Sequence, residues 1–130
     1  MNKYVADTMA LILWLEKRKM PANVKKTFQQ VDREQAEVII PAMVFAELAY
    51  LSEKSRIDTT IDEAQHLIKN NSSVFEHPIS LETVTHAFEI DDIPELHDRL
   101  IATSGKELGL PILTNDPDIQ NSTFVKTIWD

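Results

Sequence analysis

Glu37-Val38-Ile39-Ile40-Pro41-Ala42-Met43-Val44-Phe45-Ala46-Glu47-Leu48 is the stretch that decides the fold. It begins with a short β-branched apolar run, Glu37–Pro41, of the kind that forms a strand buried on both faces of a sheet. A helix follows from about Met43 to Lys54. The same alternation extends outward in both directions. Upstream, Lys3–Ala6 reads as a strand that stops at Asp7. Thr8 caps a helix built on Met9, Leu11, Ile12, Leu13, Trp14 and Leu15. Pro21 suits the first turn of a second helix carrying Val24, Phe28 and Val31. Downstream, Thr60–Asn70 is helical, and Ser73–Ile79 is a weak strand interrupted by Pro78. A helix runs from Ser80 to about Ile90, and Ile93-Pro94-Glu95 connects it to a long helix over Leu96–Leu108. Gly109 closes that helix, and Pro111–Thr114 and Phe124–Ile128 are strands. Alternating short strands and helices predict an α/β sandwich with a central, mainly parallel sheet of about five strands, covered on both faces.

With 130 residues, two glycines and no linker or repeat, the chain reads as a single domain over 1–130. The absence of cysteine excludes a disulfide framework, a thiolate zinc site and a cysteine nucleophile. No apolar run approaches the ~18 residues of a membrane span, and Met1–Asp7 contains no signal-peptide h-region, which Asp7 would interrupt. A cytoplasmic protein is the expectation. The formal net charge is −8, which on its face argues against a polyanionic partner. Its distribution is uneven. Residues 1–33 carry seven basic and three acidic side chains, a net of +4, and the remainder carries a net of −12.

Ligands of an open parallel sheet bind at the carboxyl ends of its strands. Four acidic residues belong there. Asp7 ends the first strand, Asp116 follows Pro111–Thr114 by two residues, Glu47 lies one turn into its helix, and Asp98 lies in the first turn of another. Each has a structural reading: Asp7 as a cap, Asp98 as a helix-dipole partner, Asp116 as a turn residue before Pro117. Glu47 is the hardest to explain so, because its neighbours are apolar. Four carboxylates in one crevice would repel one another unless a cation sits among them. An oxygen-only donor set suits Mg²⁺ or Mn²⁺.

The stretches that carry these acids also carry a resemblance. They are Val5-Ala6-Asp7-Thr8, Pro41–Leu48, Pro94-Glu95-Leu96-His97-Asp98-Arg99-Leu100-Ile101-Ala102-Thr103 and Gly109-Leu110-Pro111-Ile112-Leu113-Thr114-Asn115-Asp116. In their order and spacing, the whole chain resembles a PIN-domain ribonuclease of the VapC toxin type. Met9 stands where such proteins often carry Ser. The resemblance implies a PIN-like three-layer α/β/α fold, a Mg²⁺ or Mn²⁺ site built from Asp7, Glu47, Asp98 and Asp116, and hydrolysis of RNA. It also implies an antitoxin protein partner, bound in a groove around the early helices, and a homodimer. Thr8 and Thr114 are candidates for supporting hydroxyls, and Asp118 for an outer carboxylate.

Arg99 is expected to bind phosphate or to pair with one of the acids. Lys17, Arg18, Lys19, Lys25 and Lys26 are candidates for RNA-backbone contact. His97 adjoins Asp98, but neighbours on a helix point about 100° apart, which favours a supporting role over catalysis. Trp14, Leu15 and Met20, with Met43, Phe45 and Leu51, exceed what one helix face needs; most are expected in the core, and some are candidates for the partner groove. Two other readings compete: a PIN-like binding module without catalysis, and a phosphoacceptor domain using Asp7. The second wants an Asp-x-Asp pair, where this chain has Asp7-Thr8-Met9.

Overall fold

The structure is a computed structural model that describes residues 1–130. The deciding stretch forms strand β2 (Ala36–Pro41), with Val38 and Ile40 fully buried, followed at once by helix α3 (Ala42–Glu53). Around them lie β1 (Asn2–Ala6), α1 (Thr8–Leu15), α2 (Ala22–Asp32), α4 (Ile61–Asn70), β3 (Val74–His77) and α5 (Leu81–Ala87). The chain ends with α6 (Leu96–Leu108), β4 (Ile112–Leu113), α7 (Pro117–Gln120) and β5 (Thr127–Ile128). Five parallel strands flanked by seven helices make the expected α/β/α sandwich.

The strand order is β3-β2-β1-β4-β5. Tyr4 lies opposite Val38 on one side of β1, and Val5 lies opposite Ile112 on the other. The chain moves outward from β1 through β2 to β3, then returns to the far side of β1 for β4 and β5. Strand progression therefore reverses between β1 and β4. At such a point the two connections leave in opposite directions and open a crevice at the carboxyl ends of the strands. Asp7 and Asp116 follow the two strands that border it.

A continuous core of 22 buried residues holds the layers together, with Leu11, Phe28, Ile40, Leu48, Ile90 and Ile112 among its largest members. The Trp14 and Phe28 rings stack at 4.6 Å between α1 and α2. In α6, Gly105 lets the helix approach β4. A Cβ there would lie 2.6 Å from Ile112 Cγ1. Gly109 terminates α6 at φ +65, a conformation that costs glycine little.

Several boundaries differ from the sequence reading, each for a local reason. Asp7, not Thr8, caps α1, accepting the Ala10 N–H at 2.9 Å. The Thr8 hydroxyl is committed elsewhere. Pro21 is the residue before α2 rather than part of its first turn. Strand β3 stops at His77, before the proline that has no N–H to donate. β5 begins three residues later than expected. Asp92 accepts from the Ser122 and Thr123 hydroxyls and the Thr123 N–H, which holds the chain before it in a turn. The segment after Asp116, read as a turn, is the short helix α7. Asp116 caps it and Pro117 fills its first position.

Candidate functional site

Three helices begin at the crevice, and each brings a carboxylate there. Asp7 caps α1, Asp98 occupies the first turn of α6, and Asp116 caps α7 by accepting the Asp118 N–H at 2.8 Å. α3 contributes Glu47 from its second turn. These four residues line a single cleft of about 780 Å³, together with Thr8, Met9, Met43, Tyr50, His97 and Asn115, among others. The structure thus brings Asp7, Glu47, Asp98 and Asp116 to one place.

They are not equivalent. Asp98, Asp116 and Asp118 can each offer an oxygen within 4.8 Å of the others, and Asp7 and Glu47 lie outside that trio. From the sequence, Asp118 is a candidate only for an outer carboxylate. Its place follows from α7, whose single turn swings it beside Asp116. Asp7 lies deepest, at 5% exposure. Glu47 is oriented from two sides, with the Thr8 hydroxyl donating to Oε1 at 2.5 Å and His97 Nδ1 3.7 Å from Oε2. His97 also lies 3.4 Å from Glu95, which caps α6 through the His97 and Asp98 N–H groups.

The electrostatics follow from this geometry. Burial pushes the Asp7 carboxyl up to about 6. Hydrogen bonds from Thr114 and the Ala10 N–H oppose the rise, and the nearby charges of Asp116 and Glu47 add to it. Asp98 is pushed up to about 7, first by desolvation and then by Asp116, Glu95, Glu47 and Asp118. Repulsion among closely placed carboxylates has the sign that an added cation would cancel. Thr114 is fully buried, and its Oγ1 accepts the Asp116 N–H at 3.0 Å, which fixes the loop between β4 and α7.

Comparison with known families decides the family. The model of the PIN domain matches residues 4–124.

The chain belongs to the PIN domain family.

Solved structures share this PIN fold over nearly the whole chain. VapBC2 from Rickettsia felis, bound to a DNA fragment from its promoter, superposes with a TM-score of 0.71 at 18% identity, covering 98% of this chain and 99% of that one. Mycobacterium tuberculosis VapC20, described as a sarcin–ricin loop cleaving toxin, gives 0.67 at 16% identity, with 98% and 99% covered. FitAcB from Neisseria gonorrhoeae gives 0.63 at 16%, with 96% of each chain covered. Comparison with curated proteins returns no match. No helix of this PIN domain is long and apolar enough to cross a membrane.

The remaining sequence candidates are placed elsewhere. Arg99 does not face the acids. Its Nε donates to the Ile93 carbonyl and its guanidinium lies 5.6 Å from the Phe88 ring centre, which anchors α6 against α5. Lys17, Arg18, Lys19 and Lys25 line a second cavity of about 660 Å³, floored by Trp14, Leu15, Met20, Phe28 and Leu67. Lys26 is exposed on α2 and does not line it. This cavity opens at the C-terminal end of α1, whose N-terminal end carries Asp7. Eight residues of helix separate the two ends, roughly 12 Å. The sequence did not single out Tyr50 as part of the cleft. The signal was present: Tyr50 lies three residues beyond Glu47, on the same helix face.

Proposed function

We propose that this PIN domain is a metal-dependent endoribonuclease that hydrolyses RNA phosphodiester bonds, and that it is the toxin component of a VapBC-like toxin–antitoxin pair. The observation that carries the reading is the strand-end cleft in which desolvation and mutual repulsion hold Asp7 and Asp98 far above the usual carboxylate range. Perturbed acids gathered in a cleft mark a functional site. The donor set is oxygen-only and fits Mg²⁺ or Mn²⁺. Asp7, Glu47, Asp98 and Asp116 would hold the ion, with Asp118 beside Asp98 and Asp116. Such an ion supplies an activated water at neutral pH and neutralises phosphate charge.

The protein's part is to hold its acids in place. The Ala10 N–H fixes Asp7, the Thr8 hydroxyl aims Glu47, and Thr114 sets the backbone at Asp116. No nucleophilic side chain is required. The basic, apolar-floored cavity at the other end of α1 is our candidate for the antitoxin groove. Its lining includes Trp14, Leu15 and Met20, and an acidic amphipathic segment fits its chemistry. The 130 residues act as a single unit around one core, and a homodimer in the cytoplasm is the expected working form.

The test is cleavage of structured and single-stranded RNA with Mg²⁺ or Mn²⁺, then with EDTA, comparing wild type with Asp7→Asn. We expect cleavage only by the wild type with metal. Undiminished cleavage in EDTA or by Asp7→Asn overturns the metal reading, and inert wild type supports a binding module instead.

A further inference from the structure

Helix α3 carries three chemically distinct side chains along one face as it leaves the cleft: Glu47, then Tyr50, then Lys54 at its C-terminal boundary. Spacings of three and four residues place them in a row. Lys54 follows Glu47 by roughly 10 Å along the axis. Tyr50 lines the cleft beside Met43 and Leu51, yet it is 57% exposed. Core packing does not account for it. Lys54 Nζ stands 5.5 Å from the centre of its ring. Met9, across the cleft on α1, is also partly open at 38%.

The order of acids, aromatic ring and cation matches the order of phosphate, base and phosphate along a nucleic-acid strand. We infer that Tyr50 is a stacking platform for the nucleobase flanking the scissile bond, and that Lys54 receives the phosphate beyond it. The inference rests on the ribonuclease reading and specifies its substrate as single-stranded or splayed RNA. A base in an intact duplex has no free face to offer. Stacking tolerates any base, because every base has a π-face, so the platform sets register more than sequence. A protein segment using an aliphatic anchor would also bury Tyr50, but it would offer no phosphate to the Lys54 ammonium beside the ring.

The test uses short single-stranded RNAs carrying the fluorescent base 2-aminopurine at successive positions, bound to the full chain in Ca²⁺. We expect quenching at one position. Tyr50→Ala should abolish that quenching and weaken RNA binding on the order of tenfold. Tyr50→Phe and Tyr50→Trp should retain both. Tyr50→Leu, which keeps apolar bulk without a ring, should behave like the alanine variant. Lys54→Ala should weaken binding less and lower the salt dependence by about one counterion. Wild-type quenching in Tyr50→Ala, or full rescue by Tyr50→Leu, overturns the inference, as does a loss confined to binding of a protein partner. Cleavage without positional quenching sinks the platform alone. Quenching without cleavage sinks the catalytic reading and leaves the platform standing.

Discussion

The two ends of α1 are built from opposite chemistry. At its N-terminus Asp7 is buried among other carboxylates, and at its C-terminus Lys17, Arg18 and Lys19 rim an apolar groove. Both placements agree with the helix macrodipole, which favours anions at the start of a helix and cations at its end. That effect is worth about 0.3–1 kcal/mol. The cleft's desolvation and crowding outweigh it, since Asp7 and Asp98 are displaced upward despite their favourable helix ends. The lesson lies in the imbalance. The acid end stores repulsion that a cation relieves, whereas the basic end meets solvent and needs no such partner to exist.

The largest expected effect comes from Asp7→Asn. RNA cleavage should fall by at least 100-fold, beyond the 10–100-fold typical of losing a residue that merely supports a ligand. The same variant should make the metal-free protein more stable near neutral pH. A folded-state value of about 6 against an ordinary 3.8 means that the folded chain binds the extra proton between those values. Stability therefore falls as pH rises through that window, and Asp98 extends the fall towards 7. Asparagine keeps the cap and removes the charge, so the gain should be about 1–3 kcal/mol at pH 7 and vanish near pH 4. Thermal melts in EDTA across pH 4–8 would show it; equal melts of both proteins throughout would break the contrast between the two ends.

Gly105→Ala should cost about 1–3 kcal/mol by forcing α6 away from Ile112. Because α6 carries Asp98, metal affinity measured by calorimetry should fall with it while partner binding at the groove holds. Charge reversal at the other end, Lys17→Glu with Lys19→Glu, should leave cleavage within about twofold. It should weaken an acidic partner segment about tenfold, since each exposed pair contributes up to about 1 kcal/mol. Cleavage that falls in parallel would mean one RNA footprint spans both ends. Smallest of all, Thr8→Val removes the hydroxyl that aims Glu47. A net hydrogen bond of roughly 1 kcal/mol corresponds to a several-fold loss of metal affinity.

The acid-rich stretch over 58–95 differs from the cleft in another way. Several of its carboxylates have structural partners: Glu89 pairs with Lys106 at 2.8 Å, Asp92 pins Ser122 and Thr123, and Glu95 caps α6. The hydrogen bonds at Asp92 and the ammonium beside Glu89 hold both carboxyls below their ordinary range, the reverse of Asp7. Acidity in the sequence therefore had two meanings, and only the surroundings of each side chain separate them.

What the sequence determined by itself was local. β-branched runs marked the strands, 3.6-residue periodicity marked the helices, and Gly109 and Ser80 marked helix ends, because these signals act within a few residues. The positions of Asp7 and Asp116 just beyond strand ends, and of Glu47 and Asp98 in early helical turns, followed from the same reading. The tertiary structure decided what depends on distant packing. It set the order β3-β2-β1-β4-β5 and with it the crevice beside β1. It brought Asp118 against Asp98 and Asp116 through α7, turned Arg99 towards Phe88, and brought Lys25 of α2 and Leu67 of α4 onto the cavity at the far end of α1. Those placements arise from how helices and strands bury one another across the core, and no short window of the chain encodes that.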